Sequence, residues 1–284
     1  MPPELAAINK RVLAWLRQQD DIAAVLLVGS LARDDGSSDV WSDLDYMIYT
    51  SRPQKYLDST DWIHQFGEIW VIMTITEADL TEHLVLMDGA LKLDFAVETV
   101  NKLAELTQVE LLPHPFRRGY RILYDRDGLA ASLPDAPQPS PPELLTQREF
   151  DSITDAFWYG AVYVAKQIRR RQLWTVKHRD WTMKESLIDM IGWHAKAIDG
   201  PETDTWHAGK FLHDWADEKT LVSLQNTFGH FDAADSWRAL RATNALFRRL
   251  AIETAARFYL EYNRELDAKT SHFIETLYQG DAKR

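Results

Sequence analysis

The sequence contains no cysteine, which excludes disulfide bonds and thiolate metal sites. It also lacks an apolar stretch of membrane-spanning length, and its first ten residues, MPPELAAINK, have no signal-peptide pattern. Neither a Gly-x-Gly-x-x-Gly dinucleotide motif nor a His-Glu-x-x-His zinc motif occurs. We therefore expect a soluble cytoplasmic protein that is neither a dinucleotide-binding enzyme nor a zinc protease.

Basic residues are in the minority, with 32 Lys and Arg against 43 Asp and Glu, and the formal net charge is −11. This balance argues against a protein that follows a nucleic-acid backbone, because such a protein needs a basic surface. It is compatible with a small cationic ligand, because an acidic cleft attracts amines. At 284 residues and 45% hydrophobic, the chain can form one large core or two smaller ones.

A glycine turn and a pair of aspartates stand out among the residues that are present. The apolar run before Gly29 predicts a buried strand, and residues 44–48 predict a second one. Asp43 and Asp45 point to the same side of that second strand, toward the Gly29-Ser30 turn. Two adjacent carboxylates repel each other unless a cation neutralises them, and their hard oxygens suit Mg²⁺. Because Gly29 lets backbone N–H groups approach an anion and Ser30 can donate to phosphate, we predict a site for a metal-bound triphosphate.

These residues resemble the signature of the DNA polymerase β-like nucleotidyltransferases, in which a Gly-Ser or Gly-Gly turn precedes Asp-x-Asp. The intervening segment here, LARDDGSSDVWS, is slightly long and carries three further aspartates. In that superfamily a third acidic residue on a neighbouring strand completes the metal site or takes the proton of the attacking hydroxyl. Asp94 fits this place in chain order. Alternation over residues 91–97 also puts Lys92, Asp94 and Ala96 on the face opposite the larger apolar residues.

The rest of the chain predicts two domains. The N-terminal part predicts helices and strands in alternation, which indicates an α/β unit: helices over 5–16, 78–87 and 102–106, and a strand over 70–75. Residues 133–143 (LPDAPQPSPPE) form a proline-rich linker that continues neither a helix nor a central strand. Apolar residues at helical spacing then predict three long helices over 150–168, 183–198 and 237–258.

Motifs along most of the chain are similar to those of the aminoglycoside 6-adenylyltransferase family, also called streptomycin adenylyltransferases. The matching segments are Phe66-Gly67-Glu68, Lys92-Leu93-Asp94, 123–127 (LYDRD), Phe157-Trp158, 163–166 (YVAK), 190–193 (MIGW) and Gly209-Lys210. The chain departs from the family at Leu31, where the family commonly has arginine, and Arg33 follows two residues later. The resemblance implies an α+β fold, with a nucleotidyltransferase domain of mixed sheet and helices over 1–132, the linker over 133–143, and a C-terminal helical bundle over 144–284.

The resemblance also implies an activity, namely transfer of AMP from ATP to a hydroxyl of a streptomycin-type aminoglycoside with Mg²⁺ as cofactor. It assigns Asp43, Asp45 and Asp94 as the catalytic and metal-binding set, with Asp94 either a metal ligand or the base. The candidates for binding the ATP phosphates are Gly29, Ser30, Arg33, Lys166 and Lys210. Glu68 and Asp94 are the candidates for holding the acceptor.

The expected partners are ATP and a small cationic acceptor, with no nucleic acid and no membrane, and the expected state is a monomer or a small homo-oligomer. Two alternatives stay open at this point. One is a different small-molecule acceptor, such as a lincosamide. The other is a non-catalytic nucleotidyltransferase-like module that binds nucleotide or a partner protein; the presence of Asp43, Asp45 and Asp94 together favours an active enzyme.

Overall fold

The structure is a computed structural model that describes residues 2–77, 80–138 and 145–282. The chain divides into two compact units, Met1–Pro139 and Ser140–Arg284. Of the predicted proline-rich linker, residues 139–143 lie outside the described residues.

The described residues of the first unit form one mixed sheet with flanking helices. Its elements are α1 (Pro3–Leu16), β1 (Ile22–Val28), β2 (Leu44–Thr50), α2 (Gln54–Leu57), β3 (Ile69–Glu77), β4 (Leu80–Met87), β5 (Leu91–Thr99), α3 (Val100–Leu106) and β6 (Arg121–Asp125). The six strands lie in the order β3-β4-β5-β2-β1-β6. Only the β2–β5 pair among these neighbours is parallel, and the other pairs are antiparallel. The predicted α+β fold with a mixed sheet is confirmed.

Apolar cores lie on both faces of the central strands. Pro3 at the start of α1 suits the first helical turn, and apolar residues spaced along that helix are buried against one face of the sheet. The opposite face packs against α3 and residues from the segment 112–133. Because β1 is covered on both sides, its sequence IAAVLLV is a continuous apolar run and not an alternating one.

The predicted helix over 78–87 is wrong, because residues Leu80–Met87 form strand β4; Ala78 and Asp79 lie outside the described residues. The strand pairs with β3 on one side and with β5 on the other. His83 occupies a core position in it and is fully buried. Its ring nitrogens are satisfied by Thr74 Oγ1 and the Tyr56 carbonyl oxygen, each at 2.8 Å. A histidine therefore takes the place of an apolar residue in the strand alternation.

The described part of the second unit is helical, as predicted. Its helices are α4 (Gln147–Arg169), α5 (Leu173–Asp199), α6 (Leu212–Trp215), α7 (Glu218–Leu224), α8 (Ala233–Phe258) and α9 (Arg264–Ala282). Helix α4 begins with a capping box, in which Thr146 and Glu149 satisfy each other's backbone N–H groups. The core of this helical unit contains several aromatic side chains, and the rings of Phe157 and Phe247 are stacked with their centroids 3.6 Å apart. None of the helices in the described ranges is long and apolar enough to cross a membrane.

Candidate active site

The parallel pairing of β2 and β5 brings the three predicted aspartates to one place. Asp45 is paired directly with Asp94, and Leu44 is paired with Leu93. Asp43 stands just before β2, two residues from Asp45, so it points to the same face of the sheet. The residues next to these aspartates point to the other face of the sheet, as strand alternation requires. Leu44 and Leu93 are fully buried in the core on that face.

Gly29 completes this arrangement from the end of β1. Val28 is paired with Asp45, so the turn at Gly29-Ser30 begins beside the aspartate. Gly29 has φ +73°, a conformation that favours glycine, and a Cβ placed on it would lie 1.9 Å from Asp45 Oδ2. Residue 29 must therefore be glycine both for the turn and for the carboxylate. The predicted proximity of the turn and the aspartate pair is present in the structure.

A lysine joins two of the aspartates. Lys92 Nζ donates to Asp94 Oδ2 at 2.8 Å and to Asp43 Oδ2 at 3.1 Å. Burial on its own would lower the pKa of Lys92, but the hydrogen bonds and charges of Asp94 and Asp43 outweigh it and raise that pKa. The ammonium group is thus held firmly in its charged form between two carboxylates that come from two strands.

The carboxylates carry more negative charge than this one lysine offsets. Burial first, and then the charge of Asp94, raise the pKa of Asp45 to about 6. Burial also raises the pKa of Asp94, although Lys92 opposes that rise. Asp94 Oδ1 is buried and has no hydrogen-bond partner. A buried carboxylate oxygen without a donor is costly, so the cluster is short of one positive or hydrogen-bonding group.

Comparison with known proteins places this chain in a family. A family model described as streptomycin adenylyltransferase matches residues 5–277. The chain belongs to this family. Its predicted membership is thereby confirmed, and so is the prediction that it is an enzyme of the nucleotidyltransferase class.

Individual members of the streptomycin adenylyltransferase family are distant in sequence but match over most of their length. An aminoglycoside 6-adenylyltransferase from Campylobacter jejuni is 24% identical over 276 residues, which cover 93% of this chain and 92% of the relative. Another, from Bacillus subtilis (strain 168), is 21% identical over 286 residues, covering 94% and 95%. A solved structure of an aminoglycoside 6-adenyltransferase from Bacillus subtilis covers 98% of this chain and 99% of its own at 16% identity, with a TM-score of 0.47. Family membership rests on the match of the family model.

The structure also gives the positions of the other predicted site residues in this family member. Ser30 opens a short 3₁₀ turn next to Gly29 and is partly exposed. Arg33 follows that turn, and its largely buried side chain pairs with Asp35 at 3.0 Å and donates to Ser37 Oγ at 2.8 Å. The guanidinium group of Arg33 is therefore engaged by its own loop.

Glu68, predicted to hold the acceptor, lines a different cavity. That cavity has a volume of about 300 Å³ and is lined also by Glu4, Arg11 and Asp88. The two predicted lysines belong to the helical unit and are exposed. Lys166 Nζ lies 5.5 Å from the centre of the Phe273 ring, and Lys210 Nζ lies 5.6 Å from that of Phe211. Their predicted contacts with phosphate stay predictions.

Glu82 is a carboxylate at the site that sequence reasoning missed. It lies on β4 opposite Ala96 of β5, on the sheet face that carries Asp94. Burial and the charge of Asp94 raise the pKa of Glu82, which indicates that the two carboxylates are near each other. The predicted helix over 78–87 would not have placed Glu82 on this face of the sheet. The alternation of Thr81, His83, Val85 and Met87 would have revealed it, had His83 been counted as a core position.

The donor set of this site fits a hard divalent cation. Asp43, Asp45 and Asp94 supply carboxylate oxygens, which Mg²⁺ prefers, and the buried Asp94 Oδ1 is without a partner. In the conformation seen here, no three His, Asp or Glu side chains within residues 2–77, 80–138 and 145–282 already converge as metal ligands. Lys92 Nζ lies instead between Asp43 and Asp94.

Proposed function

We propose that this protein transfers AMP from ATP to a hydroxyl group of an aminoglycoside, in a reaction that depends on Mg²⁺ and releases pyrophosphate. A streptomycin-type drug is the leading acceptor. The observation that carries the proposal is the convergence of Asp43, Asp45 and Asp94 beside the Gly29 turn. It is supported by relatives named aminoglycoside 6-adenylyltransferase, which match nearly the whole chain.

Asp43 and Asp45 would hold the metal in this scheme, since their carboxylates share one face of β2. When bound, Mg²⁺ would neutralise charge on the triphosphate and on the leaving pyrophosphate. Gly29 lets backbone N–H groups approach phosphate oxygens, and the Ser30 hydroxyl can donate to them. Lys166 and Lys210 are further candidates for phosphate contacts.

Asp94 suits the role of proton acceptor. Its Oδ2 is bound by Lys92, whereas its Oδ1 is buried and has no partner. The acceptor oxygen forms a bond to the α-phosphorus while the bond from that phosphorus to the bridging oxygen of the β-phosphate breaks. The hydroxyl proton passes to Asp94 Oδ1, and pyrophosphate leaves with the electron pair of the broken bond.

The surroundings of the site favour a cationic acceptor. Four carboxylates lie close together, from Asp45, Asp94 and Glu82 on neighbouring strands and from Asp43 just before β2, and Lys92 supplies one positive charge among them. A surface of this kind attracts and orients amines. Aminoglycosides carry several amino or guanidino groups beside their hydroxyls, so their chemistry matches this surface.

Pyrophosphate release tests the proposal. Purified protein is incubated with ATP and Mg²⁺ and with streptomycin, other aminoglycosides or a lincosamide, and the drug is then analysed by mass spectrometry for added AMP. We expect release and modification with streptomycin, and neither with Asp43→Asn protein. Modification of a different aminoglycoside would support AMP transfer to this class of drug but would identify another acceptor than streptomycin.

Two other outcomes would count against the proposal. Modification of a lincosamide alone would contradict the aminoglycoside assignment while keeping nucleotidyl transfer. If no acceptor leads to pyrophosphate release, although the protein binds ATP in a direct binding assay, a non-catalytic module would be favoured.

A further inference from the structure

Lys92 occupies the position of a cation inside the proposed metal site. Its Nζ contacts one oxygen of Asp94 at 2.8 Å and one of Asp43 at 3.1 Å. It thereby joins Asp43, the residue before β2, to Asp94, the fourth residue of the neighbouring parallel strand β5. The side chain is accessible, with 42% of its surface exposed, so its ammonium group can leave this position without disturbing a core.

We propose that Lys92 is a built-in counter-ion of the metal site, and that a divalent cation must displace it from Asp43 in order to bind there. The inference rests on the proposed function, because it takes Asp43 and Asp45 as the carboxylates that hold the metal. A bound Mg²⁺ lies about 2 Å from its carboxylate oxygens. It would then stand within a few ångströms of Lys92 Nζ, where two positive charges repel each other strongly. Metal binding at Asp43 and the Lys92–Asp43 contact therefore compete with each other.

The excess negative charge of the aspartates makes the exchange favourable once a suitable cation arrives. One ammonium group offsets part of the charge of the three aspartates and leaves Asp94 Oδ1 without a partner. A divalent ion brings twice that charge and can accept several oxygen ligands. The lysine thus keeps the site intact and its affinity for free metal low. Mg²⁺ enters most readily together with ATP, whose phosphates supply additional ligands and a new partner for the ammonium group.

Removal of the ammonium group tests this inference without any enzymatic assay. Lys92→Met retains most of the side-chain volume and removes the charge. Mn²⁺, which takes the same oxygen ligands as Mg²⁺, is titrated into protein without nucleotide and followed by electron paramagnetic resonance. We expect Lys92→Met to bind Mn²⁺ about tenfold more tightly or better than the wild type, because a charge a few ångströms away is removed.

Two variants serve as controls for that titration. Lys102 has a similar exposure, 50%, and pairs with Glu105 at 3.2 Å in α3. Lys102→Met should leave the Mn²⁺ affinity unchanged. Lys92→Arg keeps the positive charge and should keep the affinity low. Equal or weaker Mn²⁺ binding by Lys92→Met would overturn the inference.

A second measurement on the wild-type protein covers the case in which Lys92→Met fails to fold. The lysines are labelled biosynthetically with ¹³C at Cε, which leaves all three N–H donors of each ammonium group in place, and the Lys92 signal is identified by its loss in Lys92→Arg. The protein is saturated with an ATP analogue that cannot be cleaved between the α- and β-phosphates, and Mg²⁺ is then added. The Lys92 signal should shift on this addition, and an unchanged signal would overturn the inference.

These results are separate from those that decide the proposed function. Both measurements report on metal and lysine and need no acceptor. If Lys92 behaves as expected but no acceptor receives AMP, only the proposed function fails. If AMP is transferred but Lys92→Met binds Mn²⁺ like the wild type, only the counter-ion role of Lys92 fails.

Discussion

Gly29 and Asp45 lie so close together that a side chain on the first would overlap the carboxylate of the second. A Cβ on Gly29 would stand 1.9 Å from Asp45 Oδ2, and 3.0 Å from its carboxyl carbon. The contact is fixed by the pairing of Val28 with Asp45 between β1 and β2. The turn proposed to bind phosphate and the strand proposed to bind the metal are therefore coupled through this contact.

Gly29→Ala should consequently impair transfer by displacing Asp45. A displacement of about 1 Å at a reacting group can lower the rate about a hundredfold. Gly128→Ala is a matched control, because Gly128 has φ +76° but a Cβ on it would meet nothing within 4 Å. Both variants place a side chain on a backbone of positive φ and should lose stability, Gly29→Ala by about 1–3 kcal/mol because its ψ of −161° lies in a region essentially restricted to glycine. We expect only Gly29→Ala to lose activity, measured as kcat; equal activity in the two would contradict the coupling.

Asp43→Asn should abolish transfer and leave the fold intact. The change removes one negative charge from the proposed metal site and keeps the side-chain volume. We expect kcat/KM to fall about a thousandfold or more, because the electrostatic stabilisation of the triphosphate is lost. Asp61→Asn, at an exposed aspartate of the same unit, is the control and should be fully active. Circular dichroism checks the fold, and substantial turnover by Asp43→Asn would exclude it as a metal ligand.

Asp45 predicts a pH dependence of stability in the absence of metal. Burial, reinforced by the charge of Asp94, raises its pKa from 3.8 to about 6. A carboxyl whose pKa is raised in the folded state binds its proton more tightly there, so its contribution to stability is fully present below pH 3.8 and is lost as the pH rises through about 6. At neutral pH the ionised group therefore destabilises the metal-free protein, by at most about 3 kcal/mol.

Asp45→Asn should for this reason stabilise the protein in EDTA at neutral pH and have little effect at about pH 4. Urea unfolding at the two pH values measures the difference. Mg²⁺ added together with an uncleavable ATP analogue should stabilise the wild type and should stabilise Asp45→Asn less, because the variant lacks one of the proposed metal ligands. A variant that is no more stable than the wild type at neutral pH would contradict the raised pKa of Asp45.

Much of the site could be predicted from the sequence because strand alternation fixes the direction of side chains. Asp43 and Asp45 share a face by spacing alone, and Asp94 opposes the apolar residues of its own strand. The spacing of residues does not predict that β2 pairs with β5. That pairing depends on the β3–β4 hairpin, which separates the two strands in the chain and lies on the far side of β5 in the sheet. The resemblance to the nucleotidyltransferase superfamily predicted that a third acidic residue, Asp94, lies on a neighbouring strand.

The error at residues 78–87 has a local cause. Leu80, Leu84 and Met87 fall at helical spacing, while the strand alternation runs through His83, a polar residue. Burial of His83 is possible because Thr74, its partner on β3, and the backbone carbonyl of Tyr56, which precedes the hairpin, satisfy its ring nitrogens. Tertiary hydrogen bonding thus decided between two local patterns, and the face that carries Glu82 could not be assigned without it.

Glu82→Gln should weaken binding of the acceptor and leave ATP binding unchanged. Glu82 lies on the face of Asp94 on the neighbouring strand, where a carboxylate can pair with an amine of the drug. Loss of one charged hydrogen bond predicts a rise of about tenfold in KM for the aminoglycoside. The effect should shrink at high salt. Glu105→Gln, on an exposed helix residue, is the control, and an equal rise in KM for ATP would assign Glu82 to another role.

Lys210→Ala tests whether the helical unit contributes to nucleotide binding. Lys210 is exposed, and its ammonium group lies 5.6 Å from the Phe211 ring centre, so it is available to an anionic ligand. If it contacts phosphate, its removal should raise KM for ATP about tenfold, because a charge-assisted hydrogen bond is lost. Lys269→Ala serves as the control, since Lys269 is exposed and paired with Glu265 within α9. Unchanged nucleotide kinetics in Lys210→Ala would show that this lysine is only part of the surface, and the triphosphate would then depend on the Gly29-Ser30 turn and the bound metal.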